Sequence, residues 1–160
     1  VPEMTFSLAA GLNWKGIDFS ILLQGAARSS IYLQQDIAWD NFWGNYYEEH
    51  IGRWTPETAA TATYPRFTKA ATPAHPNYYK SDYWLKDSKY LRLKNIQLGY
   101  TIPRKLLKKF GVRSLRVYAN AYNLFTWDNV KKVDPESSNN SNGQFYPQQK
   151  VINFGINLNF

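Results

Sequence analysis

The residue types that could carry out chemistry are few, and their spacing does not assemble them. His50 and His75 are the two histidines, and no acid cluster stands near either at metal-ligand spacing. Asp36, Asp40, Glu48 and Glu49 lie close together, and paired carboxylates are what glycoside cleavage requires. They share one stretch without a recognisable partner pair, so they read as solvated charges. There is no cysteine, which removes disulfides, thiolate zinc sites and cysteine nucleophiles together. No phosphate loop, serine-nucleophile elbow or dinucleotide fingerprint occurs. The chain is therefore not expected to be an enzyme, and no metal or cofactor is expected.

Aromatic side chains supply the other candidate chemistry. They form 17% of the chain, yet its mean hydropathy is -0.52. Trp39, Trp43, Tyr46, Tyr47 and Trp54 are candidates for stacking on a bound molecule or anchoring a partner. The plainer reading is that a long loop needs a small core of its own, which Trp and Tyr build. Trp39, Trp43, Tyr46 and Tyr47 fall on one face of a helix expected near 34–50, and this favours packing. A Pro-rich irregular run follows over 55–76.

The formal net charge is +7, from 19 basic and 12 acidic residues. Most basic residues stand singly in strand-like segments. The dense cluster Arg104, Lys105, Lys108 and Lys109 belongs to one short amphipathic turn, so it reads as a solvated rim and no nucleic-acid partner is expected. No run of about 18 apolar residues is present, so no transmembrane helix is predicted.

The elements that hold these residues are strands. From Val151 to Phe160 the sequence alternates without a break: Ile152, Phe154, Ile156, Leu158 and Phe160 share one parity, and Asn153, Asn157 and Asn159 the other. Its length matches the roughly 9–11 residues with which a tilted strand crosses a bilayer. Phe6, Leu8, Ala10, Leu12 and Trp14 repeat the pattern, as do Ile17, Phe19, Ile21 and Leu23, then Leu115, Val117, Ala119 and Ala121 within 113–125. Over 90–102, Leu91 and Leu93 start on one parity while Ile96, Leu98 and Tyr100 continue on the other, and a bulge near Lys94 would repair the slip.

Connections alternate between short and long. Trp14-Lys15-Gly16 makes a tight turn, and 103–111 a short helix opened by Pro103 and closed by Gly111. The stretches 29–89 and 126–150 are long. Outer-membrane β-barrels show this asymmetry, with short periplasmic turns and long extracellular loops. The expected fold class is all-β: an antiparallel transmembrane β-barrel segment of about five strands, with a short helix in its long loops. Five strands cannot close a barrel and would leave an open edge. Further strands are therefore expected upstream of Val1, together with the secretory leader that Val1-Pro2-Glu3 does not begin. The rival reading is a soluble carbohydrate-binding β-sandwich module, which would bury both faces of the sheet.

Several stretches carry a family resemblance. The run from Asp82-Tyr83-Trp84-Leu85-Lys86-Asp87 through Tyr90-Leu91-Arg92-Leu93-Lys94-Asn95 to Gly99-Tyr100-Thr101-Ile102-Pro103 resembles a hallmark of the SusC/RagA family. So do Arg53-Trp54-Thr55-Pro56-Glu57 with Tyr64-Pro65-Arg66, Asn120-Ala121-Tyr122-Asn123-Leu124-Phe125-Thr126, Asp134-Pro135-Glu136 and Tyr146-Pro147-Gln148. These are TonB-dependent outer-membrane transporters typical of Bacteroidetes. The resemblance implies a 22-stranded barrel with an N-terminal plug, contact with TonB through that absent region, a SusD-like surface lipoprotein as lid, and glycan or peptide cargo. On it, 1–160 is the C-terminal part of the barrel, 29–89 and 126–150 are extracellular loops, 103–111 is a periplasmic turn and 151–160 is the closing strand. Phe160, with Leu158, Ile156 and Phe154, resembles the signal read by the barrel assembly machinery; the bland alternative is a closing strand that simply faces lipid.

Overall fold

The computed structural model describes residues 2–35, 38–40, 44, 46–69, 75–130, 133–137 and 146–160. In chain order its strands are β1 (Met4–Trp14), β2 (Ile17–Ala27), β3 (Ser30–Tyr32), β4 (Leu85–Asp87), β5 (Tyr90–Thr101), β6 (Ser114–Asp128) and β7 (Val151–Asn159). The chain forms two units, one of Pro2–Ser29, Lys89–Asn129 and Gln148–Phe160, the other built on Ser30–Ser88 and Val130–Pro147.

The first unit is one antiparallel sheet in the order β1-β2-β5-β6-β7. The period-two alternation fixes its register, because a slip of one residue would turn every apolar side chain to the polar face. Leu12, Phe19, Leu98, Ala119 and Phe154 line up across all five strands, and Trp14, Ile17, Tyr100, Val117 and Ile156 form the next row. On the other face Gly11, Ser20, Gln97, Asn120 and Asn153 align in the same way. The parity slip in β5 is absorbed where the sequence places it. Both neighbouring strands skip Lys94, pairing with Leu93 and then Asn95, so Leu91 and Ile96 reach the same face. Opposite the bulge, Asn123 takes a left-handed φ of 50°.

The two short connections follow from local chemistry. Trp14 pairs with Ile17, leaving a two-residue hairpin loop of Lys15 and Gly16, whose φ values of 47° and 88° suit a primed turn. Gly16 is required twice over, since a Cβ there would also lie 2.7 Å from the Thr101 carbonyl oxygen. After Pro103, Arg104–Leu107 form one α-helical turn that tightens into a 3₁₀ turn and stops at Gly111, with φ 68°.

In the second unit β3 pairs antiparallel with β4, and the Leu33 N–H donates to the Trp84 carbonyl. Ile31, Leu33, Ala38, Trp39, Tyr64, Tyr78, Trp84 and Val130 form its core. The helix expected over 34–50 is not formed by the described residues there. Gln35 stands in a 3₁₀ turn, with Ala38 and Trp39 donating back to its carbonyl; Gln35 and Gly44 take φ of 50° and 77°, and the next helical geometry among the described residues is the 3₁₀ turn Glu48–Gly52. The adjacent side chains of Trp39 and Asp40 are both buried, which successive positions around a helix would separate.

Candidate functional site

Two surfaces carry the residues singled out by sequence: the apolar face of the sheet and the aromatic loop unit. On the sheet, Phe154, Ile156, Leu158 and Phe160 are 82%, 69%, 45% and 75% exposed. Leu8, Leu12, Leu98 and Val117 on the other strands are exposed too. No second layer within this unit covers the face. It is a contiguous apolar surface, far beyond the scattered apolar residues of a water-facing one. Aromatics border it at both ends, with Phe6, Phe125 and Trp127 where the long connections leave and Trp14, Tyr100 and Phe160 near the short turns. Phe125 and Trp127 stack at 6.1 Å. The Lys15 ammonium lies over the Trp14 ring at 4.9 Å, keeping its charge at the edge of the apolar band.

The opposite face is polar and internally paired. Arg116 on β6 donates through Nε and Nη2 to the two carboxylate oxygens of Asp18 on β2, at 2.9 and 2.5 Å. The pair reaches across β5 because Gly99 stands between them, where a Cβ would lie 2.5 Å from both groups. The Arg116 guanidinium also lies over the Tyr118 ring at 4.8 Å, and Tyr118 covers Gly155 of β7. Sequence reasoning missed this bridge, and the only signals for it were two glycines at inward-facing strand positions. Arg92, also buried, donates from Nε to Thr126 Oγ1 at 2.9 Å.

The loop unit disperses the aromatic candidates. Trp39 is buried against Tyr78, with ring centroids 4.6 Å apart. Tyr47 is half-buried and edge-on to His50 at 5.5 Å, while Tyr46 is exposed beside Phe67. Trp54 is exposed. Trp43 and Asp36 lie outside the described residues. The reading of Asp40 as a solvated charge is corrected: it is 1% exposed. Its carboxylate accepts from the Tyr78 hydroxyl and from the Thr68 N–H at 2.9 Å; the Tyr64 hydroxyl, 3.3 Å from it, accepts from the Asp40 N–H at 2.9 Å and lies 2.8 Å from the Ala38 carbonyl, the nearer acceptor for its proton. A buried charge is tolerable only with such partners. Burial pushes the Tyr64 and Tyr78 hydroxyls well above the ordinary tyrosine value, and the neighbouring Asp40 adds to both shifts. His50 is buried as well. Its Nδ1 accepts from the Tyr47 N–H at 3.0 Å, which leaves Nε2 to donate to the Ala38 carbonyl at 3.3 Å. These groups fix three loop segments together and present no acid to a substrate.

The chain as a whole has similar sequences and folds among known proteins. No family model matches the chain. It is 29% identical over its whole length to TonB-dependent receptor P26 of Formosa agariphila, and 25% identical over 99% of its length to TonB-dependent receptor SusC of Bacteroides thetaiotaomicron. The RagAB peptide importer in its open-open state shares the fold over all of the chain, with a TM-score of 0.77 at 24% identity. The chain is thus similar over its whole length to TonB-dependent receptors of the SusC/RagA kind. It spans 17% of the length of P26 and 15% of that of SusC. As a SusC/RagA-type chain its place is the outer membrane, within a full-length receptor, and it is not an enzyme.

Proposed function

We propose that the chain forms the last strands and mouth loops of a TonB-dependent outer-membrane importer of glycans or oligopeptides, working with a SusD-like surface lipoprotein. One observation carries this reading: an apolar face continuous over five strands, bordered by aromatics at both ends and open to its surroundings. In this reading 29–89 and 126–150 are extracellular, 103–111 is a periplasmic turn, and the sheet continues through further strands into a closed barrel of the 22-stranded kind. Phe160, Leu158, Ile156 and Phe154 face lipid and serve as the signal for the barrel assembly machinery. Trp39, Trp43, Tyr46, Tyr47 and Trp54 belong to the loop that meets cargo or lid, with the exposed Tyr46 and Trp54 placed for contact and the buried Trp39 supporting them. A soluble carbohydrate-binding sandwich would need a second layer over the apolar face.

The test is uptake of fluorescent oligopeptides and oligosaccharides by cells carrying the full-length receptor and its lipoprotein, with and without TonB. Accumulation that requires both receptor and TonB is expected. Accumulation indifferent to TonB, or a full-length receptor recovered in the soluble fraction, would overturn the proposal.

A further inference from the structure

The loop unit contains a cleft of about 410 Å³ lined by Arg53, Trp54, Thr55, Pro56, Arg66 and Phe67. Its size falls in the range of small-molecule sites, and its lining combines two guanidinium groups, an exposed indole and no carboxylate. Among the described residues neither Arg53 nor Arg66 makes an ion pair. Glu57, four positions after Arg53, is already held by its own backbone N–H and the Thr55 side chain. The Arg53 guanidinium rests over the Phe67 ring at 4.9 Å, which orients its planar fork and strips water from one of its faces.

The walls are set before any ligand arrives. Arg53 bridges to Tyr64, and the Trp54 N–H donates to the Tyr64 carbonyl at 2.9 Å. The Thr58 hydroxyl donates to the Arg53 carbonyl at 2.9 Å and accepts from the Thr55 N–H at 2.8 Å. On the facing segment, the Arg66 carbonyl accepts from Asn77 Nδ2 at 2.8 Å. Two guanidiniums without an ion pair, beside an exposed indole on a fixed backbone, form a receptor for a carboxylate joined to a flat or apolar body.

We propose that this cleft binds the carboxylate of an acidic ligand through Arg53 and Arg66, with Trp54 stacking on the group that bears it. The inference rests on the import reading for its biological use, but binding itself needs neither TonB nor a membrane gradient. A uronic-acid sugar and the free C-terminus of a peptide share this chemistry, and the experiment separates them.

The full-length receptor, purified in detergent, is titrated calorimetrically with tetragalacturonate and its methyl ester, and with a tetrapeptide as free acid and as C-terminal amide. At least one acid is expected to bind about tenfold or more tightly than its uncharged counterpart. Arg66→Gln and Arg53→Gln should each remove most of that preference, and added salt should weaken it. Arg53→Lys keeps the charge without the fork and should retain part of it, while Trp54→Ala should weaken both forms of the saccharide and leave the acid preference standing. Preference for the galacturonate assigns an acidic-sugar site, and preference for the peptide acid a C-terminus site. Failure of both acids to bind, equal binding of acid and neutral forms, or a preference that survives both Arg→Gln changes would overturn the proposal. None of these results bears on TonB-dependent uptake, so the two readings can fail separately.

Discussion

The sheet and the loop unit are drawn from the same aromatic-rich composition and arrange it in opposite senses. In the sheet, Phe154, Ile156 and Trp127 stand outward, while Asp18 and Arg116 pair on the other face. In the loop unit Trp39, Tyr64, Tyr78 and Trp84 turn inward, and the acid they surround, Asp40, is among the most buried residues of the chain. Each arrangement is the low-energy one for its solvent. A face in hydrocarbon keeps apolar groups outside at no cost, and its backbone polar groups are satisfied by neighbouring strands. A loop in water must build an interior, and with few aliphatic residues it uses aromatic rings locked by hydrogen bonds. The position of an aromatic residue here thus reports which solvent its segment meets.

Asp40→Ala should break the contrast most severely. It would leave the Tyr78 hydroxyl and the Thr68 N–H without their carboxylate acceptor. Each buried neutral donor left without an acceptor costs about 1–3 kcal/mol. In the full-length receptor the segment 30–88 should become open to protease, while the heat-dependent gel mobility of the barrel stays as in the wild type. A variant loop as resistant as the parent would show that the aromatic packing alone holds the unit.

Phe154→Arg attacks the other half of the comparison. A charge on the lipid face of a barrel strand costs about 2–4 kcal/mol near the bilayer midplane and less toward its edges. The yield of folded receptor in outer membranes should fall severalfold, whereas Asn153→Arg, one residue away on the polar face, should be tolerated. Equal yields for the two would mean that the two faces do not differ in solvent.

The sheet was legible in sequence because its signal is local. Alternation over 151–160 needs no partner to be read, and even the Lys94 bulge shows as a change of parity between Leu93 and Ile96. The Asp18–Arg116 bridge was not legible, since its members lie 98 positions apart and meet only because Gly99 leaves room. Asp40 looked solvated because its partners come from Tyr64, Thr68 and Tyr78, in segments without periodicity. The spacing of Trp39, Tyr46 and Tyr47 suggested a helical face, yet Trp39 is buried against Tyr78 while Tyr46 is exposed beside Phe67. Strands of three residues, such as β3 and β4, are too short to show a period of two.

The smallest effect should appear at alkaline pH, and in the loop unit. Tyr64 and Tyr78 have their ionisation raised above the ordinary value of 10.0, chiefly by burial. Their hydroxyls therefore stay protonated in the folded loop at a pH where an unfolded loop would release the protons. Stability from this source is complete below pH 10 and falls as pH climbs beyond it, by about 1 kcal/mol for each tyrosine at one unit above. Protease resistance of 30–88 should accordingly decline between pH 10 and 11 in step with tyrosinate absorbance, while barrel gel mobility holds. Tyr64→Phe and Tyr78→Phe together should flatten that decline, although the second also removes a donor to Asp40 and the first the bond to the Ala38 carbonyl, so both lower the starting resistance. A slope unchanged in the double variant would place the alkaline sensitivity elsewhere and detach it from the buried hub.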